Sequence, residues 1–192
     1  TPSDDYGHGT HVCGSIAGSG KSSEGIYAGI VPDARLIVGK ILDKRGDGSV
    51  EKMAKAMEWI LDVKDIYHIR VLNISIGTGK GYEKQEYNKI RELLNEAWDQ
   101  GIMIICAAGN SGPASGSISM LGMNRNIITV GCHEGRESYR FGHPCQLYSG
   151  RGEVSDIYRK PDIVAPGTEI VSCKAAPYRG KTIFDKYYCK KS

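Results

Sequence analysis

The residues with the clearest chemical potential stand near the start of the chain, in Asp5-Tyr6-Gly7-His8-Gly9-Thr10-His11-Val12-Cys13-Gly14. A histidine flanked by glycines at the start of a small-residue helix can present its imidazole to a cleft. Its pKa near neutrality suits it to general acid–base work. His8 and His11, three residues apart, equally fit a metal pair or an ordinary polar surface, and the spacing alone leaves all three readings open.

A second candidate is Ala107-Ala108-Gly109-Asn110-Ser111-Gly112-Pro113, directly after an apolar run. The small residues let another backbone approach closely, and the Asn110 amide can donate to a developing oxyanion. The competing reading is a turn in which that amide only caps its own loop. A third, Asn73-Ile74-Ser75-Ile76-Gly77, is a strand ending in glycine that can pair with an extended peptide, or simply a buried strand. The fourth, Pro161-Asp162-Ile163-Val164-Ala165-Pro166-Gly167, reads as a strand followed by a rigid turn.

The elements that must position these residues alternate between buried-strand and amphipathic-helix patterns. Residues 35–42 (RLIVGKIL) predict a strand, followed by a glycine-rich turn at 46–48. Ser49 suits the N-cap of a helix with Met53, Met57, Ile60 and Leu61 along one face. Residues 71–76 predict a second strand. Tyr87, Ile90, Leu94, Ala97 and Trp98 mark another helix face, stopped by Gly101 at the C-cap position. Residues 102–107, 127–130 and 162–165 complete the strands. Strands alternating with helices of about 15 residues imply βαβ units and a parallel sheet. The expected fold class is therefore α/β, three-layer, with a mostly parallel sheet and helices on both faces. In such sheets functional residues lie beyond the carboxyl ends of the strands, where the glycine-rich segments fall.

The 192 residues suffice for one domain with a sizeable core, and 40% hydrophobic with 24% charged residues is ordinary for a globular chain. No apolar run approaches the roughly 20 residues that span a bilayer. The net charge of +3 is thinly spread, with basic residues grouped only at Lys186, Lys190 and Lys191, so neither nucleic acid nor membrane is an expected partner. Six cysteines are even in number, but a chain of this size does not need disulfides. Cys13 and Cys106 lie in apolar runs and suit small buried hydrophobes, which favours a reducing compartment.

Taken in order, the four segments resemble the subtilase family, from Asp5 to the C-terminus. The first resembles its histidine motif, HGTHVAG, with Cys13 in place of alanine. The second resembles its AAGN oxyanion segment, the third its N-x-S-x-G substrate-pairing strand, and the fourth the D-x-x-A-P-G turn preceding its nucleophile. The resemblance implies a subtilisin-like serine endopeptidase acting on polypeptide; no cofactor is expected, and although calcium sites are common in the family, no recognisable acidic loop in this sequence supports one. His8 would be the catalytic base and Asn110 the oxyanion donor, while His11 would be structural. Ser75, Ile76 and Gly77 would form one rim of the substrate cleft and Ala107, Ala108 and Gly109 the other. The floor would come from around Ser117 to Ser119.

The family's aspartate strand, ending D-T-G or D-S-G, and its G-T-S-M-A serine segment have no counterpart among these residues. Asp4 and Asp5 adjoin the histidine but are expected to be poor substitutes for a buried orienting carboxylate. Residues 1–192 are thus expected to form a partial catalytic domain, inactive alone and open to self-association through uncovered apolar surface. Two other readings stay open: a non-catalytic subtilase-like interaction module, and a metal protein. The latter would use His8 with His11, or Cys132, His133, His143 and Cys145, whose arrangement is compatible with tetrahedral zinc.

Overall fold

The computed structural model describes residues 3–77, 84–133, 145–153, 157 and 159–175, without the side chains of 84–86. His143, Cys189 and the basic cluster at 186–191 lie outside the described residues. The chain divides into two compact units, one made of residues 1–49 with 169–192 and the other of 50–168.

In the larger unit, helix α2 (Val50–Val63) begins directly after Ser49 and buries Met53, Ala54 and Met57. Strand β1 (Val71–Ile74) is shorter than its apolar run. Helix α3 (Lys84–Asp99) buries Ile90, Leu94 and Ala97, whose spacing of four and three puts them on one face. Trp98 falls off that stripe and is 41% exposed, contrary to its expected place in the core. Gly101, at φ +84°, ends the helix in the left-handed conformation that a side chain resists.

The remaining strands among the described residues are β2 (Met103–Ala107), β3 (Ile128–His133) and β4 (Ile163–Pro166). All four pair in parallel, in the order β1-β2-β3-β4. Ile102, Ile104 and Cys106 alternate into the core, and each fully buried isoleucine contributes about 2 kcal/mol. Among the described residues, only β1 and β2 are joined through an α-helix. β2 reaches β3 through a loop containing one short turn of helix, Leu121–Met123.

An ion pair between a buried lysine and a partly exposed aspartate ties β3 to β4. Lys160 donates its Nζ to the Asp162 carboxylate and to the Ile127 carbonyl, both at 2.6 Å. The same carboxylate oxygen accepts the Thr129 N–H at 2.7 Å. Asp162→Ala would strand a buried ammonium and an unpaired main-chain donor. Allowing for water at the partly exposed carboxylate, it should lower stability by about 2 kcal/mol. A urea midpoint unchanged from wild type would contradict this.

In the other unit, helix α1 (His8–Ala17) packs its Gly14 against the segment 169–175. Residues 35–42 form no strand, contrary to expectation; Leu36, Ile37 and Val38 are exposed, with Val38 at 64%. A strand requires a neighbour's main-chain groups, and no described residue supplies them here. No helix among the described residues is long and apolar enough to cross a membrane.

Candidate active site

The first candidate, His8, opens α1 and is exposed. Its presentation is set by Asp4, whose carboxylate accepts four bonds around the helix start. Oδ1 takes the N–H groups of Gly7 (2.8 Å) and Tyr6 (3.2 Å), and Oδ2 takes the N–H and the hydroxyl of Thr10, both at 2.7 Å. Gly7 precedes the helix at φ +93°, where glycine is strongly favoured. Burial pushes the Asp4 carboxyl up, but the bonds from Thr10, Gly7 and Tyr6 outweigh it and hold the pKa below the usual value. The cap's stabilisation is therefore complete above the ordinary Asp pKa and is lost only as pH falls through the lower folded value.

Asp5 pairs instead with Lys40 at 3.1 Å, so each acidic residue has a structural partner of its own. His11 points back into its unit: Nε2 donates to the Ile170 carbonyl at 3.1 Å. Burial lowers its pKa, the bond to Ile170 opposes this, and the nearby His8 charge lowers it further. These contacts hold His11 to the segment beneath α1 and favour its neutral form.

In the larger unit, Ala107 ends β2, and the chain continues through Ala108 and Gly109 to an exposed Asn110. Ala108 donates to the Val130 carbonyl (2.8 Å), and Gly109 turns at φ +89°. Ser119 braces this loop: its N–H donates to the Ala108 carbonyl (2.8 Å) and its hydroxyl to the Ala107 carbonyl (3.1 Å). No hydrogen bond among the described residues ties the Asn110 amide to its own loop, against the reading of that amide as a local cap.

Ser75, Ile76 and Gly77 follow β1, whose Ile74 is in register with Cys106 of β2. Residues 75–77 and 107–109 therefore leave neighbouring strands at the same edge of the sheet. They do not share the pocket of about 190 Å³ found beside the loop. That pocket is lined by residues 107–110, residues 130–132 of β3, Ser149 and residues 165–167 at the end of β4. Residues 117 and 119 do not line it either; Ser119 packs on Gly109 instead.

Cys132 and Cys145 form a disulfide, although a chain of this size does not need one. It also takes both thiolates from the zinc arrangement considered for this segment, and no group of three or more metal-ligating side chains occurs among the described residues. Cys13, Cys106 and Cys173 are free; burial pushes the Cys106 thiol up to about 11, as suits a core residue. The braces from Asp4, Ser119 and Asp162 escaped the sequence reading. Ser119 and Asp162 bond to backbone 12 and 33 residues away, for which composition carries no signal, while Asp4 bonds locally, to residues 6, 7 and 10.

The model of the Subtilase family matches residues 1–192. "Serine protease AprX" of Bacillus subtilis (strain 168) is 35% identical over 179 residues, covering 91% of this chain and 40% of that protein. "Subtilisin" of Bacillus sp. (strain TA39) is 36% identical, covering 88% of this chain and 40% of its own length. Among solved structures, "Sphericase" superposes with a TM-score of 0.74 at 30% identity, covering 91% of this chain and 56% of that one. The chain thus spans about 40% of the length of these curated relatives.

Proposed function

The chain belongs to the subtilase family, and we propose that it contributes the base and the oxyanion donor of a subtilisin-like serine endopeptidase. His8 takes the proton from the attacking serine and returns it to the leaving amine. Asn110 donates to the oxyanion of the tetrahedral intermediate. Residues 75–77 pair with the extended substrate, and residues 107–109 wall the pocket for the side chain before the scissile bond. The orienting aspartate and the serine come from sequence beyond residues 1–192, so this stretch alone is inactive; no G-T-S occurs within it.

The observation that carries this reading is Asn110, an exposed amide uncommitted to its own loop at the carboxyl end of a parallel strand. A transition-state donor must stand free in this way, because a donor already bonded in the ground state gains little when charge develops. The relatives' names, serine protease and subtilisin, support the same activity.

Specificity follows from the walls. Ser75, Ile76, Gly77, Ala107, Ala108 and Gly109 carry no charge and, Ile76 apart, are small. Such a slot gains mainly by burying apolar area, at about 25 cal/mol per Å². It separates similar hydrophobes by only about 1–3 kcal/mol. The complete protein should cleave a peptide library broadly, with large apolar or aromatic residues enriched before the scissile bond. A sharp preference for Lys or Arg there would reject this account of the pocket, and absence of hydrolysis would reject the enzyme.

A further inference from the structure

We infer that the Cys132–Cys145 disulfide is a positioning element for the Asn110 loop, acting through the strap of residues 145–150; the inference rests on the oxyanion role proposed for Asn110. Cys132 lies in β3, and Cys145 is fully buried at the start of a short helical turn, Cys145–Leu147. Tyr148 and Ser149 donate their N–H groups back to the Cys145 carbonyl at 3.2 and 2.8 Å, so the strap is coiled directly onto the bridged residue.

The strap then holds the loop on both sides of Asn110. Gly150 donates its N–H to the Gly109 carbonyl (2.9 Å), and Gly112 donates its N–H to the Tyr148 carbonyl (2.8 Å). The two backbones are in direct contact: a Cβ added at Gly112 would lie 1.9 Å from the Ser149 carbonyl oxygen. Asn110 itself takes no bond from the loop, so the direction of its amide is inherited from residues 109 and 112 and, through them, from the strap.

The disulfide joins the strap to β3 covalently, beside a hydrogen bond from the Cys132 N–H to the Ser149 hydroxyl at 2.9 Å. Reduction by a dithiol breaks the S–S bond. The two electrons come from the reductant, which leaves as its own cyclic disulfide, and both cysteines end as thiols. The covalent path between Cys132 and Cys145, at a sequence separation of 13, then runs only through the chain, and the Cys132–Ser149 hydrogen bond is left to hold the strap without the bridge. A displacement of the order of 1 Å at a catalytic donor is enough to slow turnover severely.

Because an oxyanion donor acts in the transition state, losing the bridge should lower kcat and spare KM. The test is a cycle in the complete enzyme on a peptide substrate with a large apolar residue before the scissile bond: wild type, Asn110→Ala, Cys132→Ser with Cys145→Ser, and all three changes together. Removing the bridge should reduce kcat about tenfold with KM within about twofold. In the Asn110→Ala background it should change kcat by less than about twofold, because the group it positions is already gone. An equal loss in both backgrounds, or no loss in either, overturns the inference. If the serine variant does not fold, the folded wild type is reduced with dithiothreitol and assayed at unchanged far-UV circular dichroism; outright unfolding on reduction would make the bridge a stability element only. Full activity in Asn110→Ala alone would instead reject the oxyanion reading, and this inference with it.

Discussion

In the complete protein, His8→Ala should lower kcat about a million-fold and leave KM within a few-fold of wild type. That is the loss known for the base of subtilisin itself, whose triad acts as one unit. A group that moves a proton in the transition state adds little to ground-state binding, so the effect belongs in kcat. The fold should tolerate the change. His8 is exposed, and the bonds that start α1 run from Asp4 to residues 6, 7 and 10. Stability should therefore move by less than about 0.5 kcal/mol, the usual scale for a surface substitution. Steady-state kinetics alongside a urea titration separates the two effects. Near-normal turnover in His8→Ala would remove it from the catalytic step, and parallel loss of activity and stability would make it a structural residue.

What could be read from the amino-acid order was what depends on near neighbours. The buried faces of α2 and α3 follow from spacings of three and four, and the four strands from compact apolar runs, with β3 running on past Gly131 to His133. The candidate residues stand at the ends of elements for the same reason: β2 stops at Ala107 and α1 starts at His8. Residues 35–42 show the limit. Their apolar pattern is as strand-like as that of β2, yet a strand is defined by its neighbour, and β2 has β1 and β3 while 35–42 has none among the described residues. The disulfide was hidden for a similar reason: parity of cysteines says nothing of which two meet, and Cys145 reaches Cys132 only because the strap folds back onto β3. The second serine of the S-I-S sequence at 117–119 looked like pocket lining, but its hydroxyl and N–H are turned onto Ala107 and Ala108. Tertiary contact, more than propensity, decides such roles.

The second large effect is expected at Asn110. Replacing it with alanine in the complete protein should reduce kcat about 10²–10³-fold, equivalent to about 3–4 kcal/mol of transition-state stabilisation, the range known for the oxyanion asparagine of subtilisin. The smaller loss than at His8 reflects the chemistry: the proton can still move and the covalent intermediate can still form, but one charge-stabilising donor is missing. The alternative, that Asn110 is a turn residue holding its own loop, predicts the opposite pattern. A lost side-chain cap would lower stability by about 1 kcal/mol and leave the chemistry of the folded fraction intact. The loop here is held by its backbone, through Ser119 at residues 107 and 108 and through the strap at 109 and 112. Alanine at 110 should therefore leave the denaturation midpoint unchanged while kcat falls. The measurement is both quantities on one preparation, with active sites counted by a covalent serine-directed inhibitor so that kcat refers to folded enzyme. A shifted midpoint with normal kcat per active site would assign Asn110 to the turn and leave the oxyanion without its proposed donor.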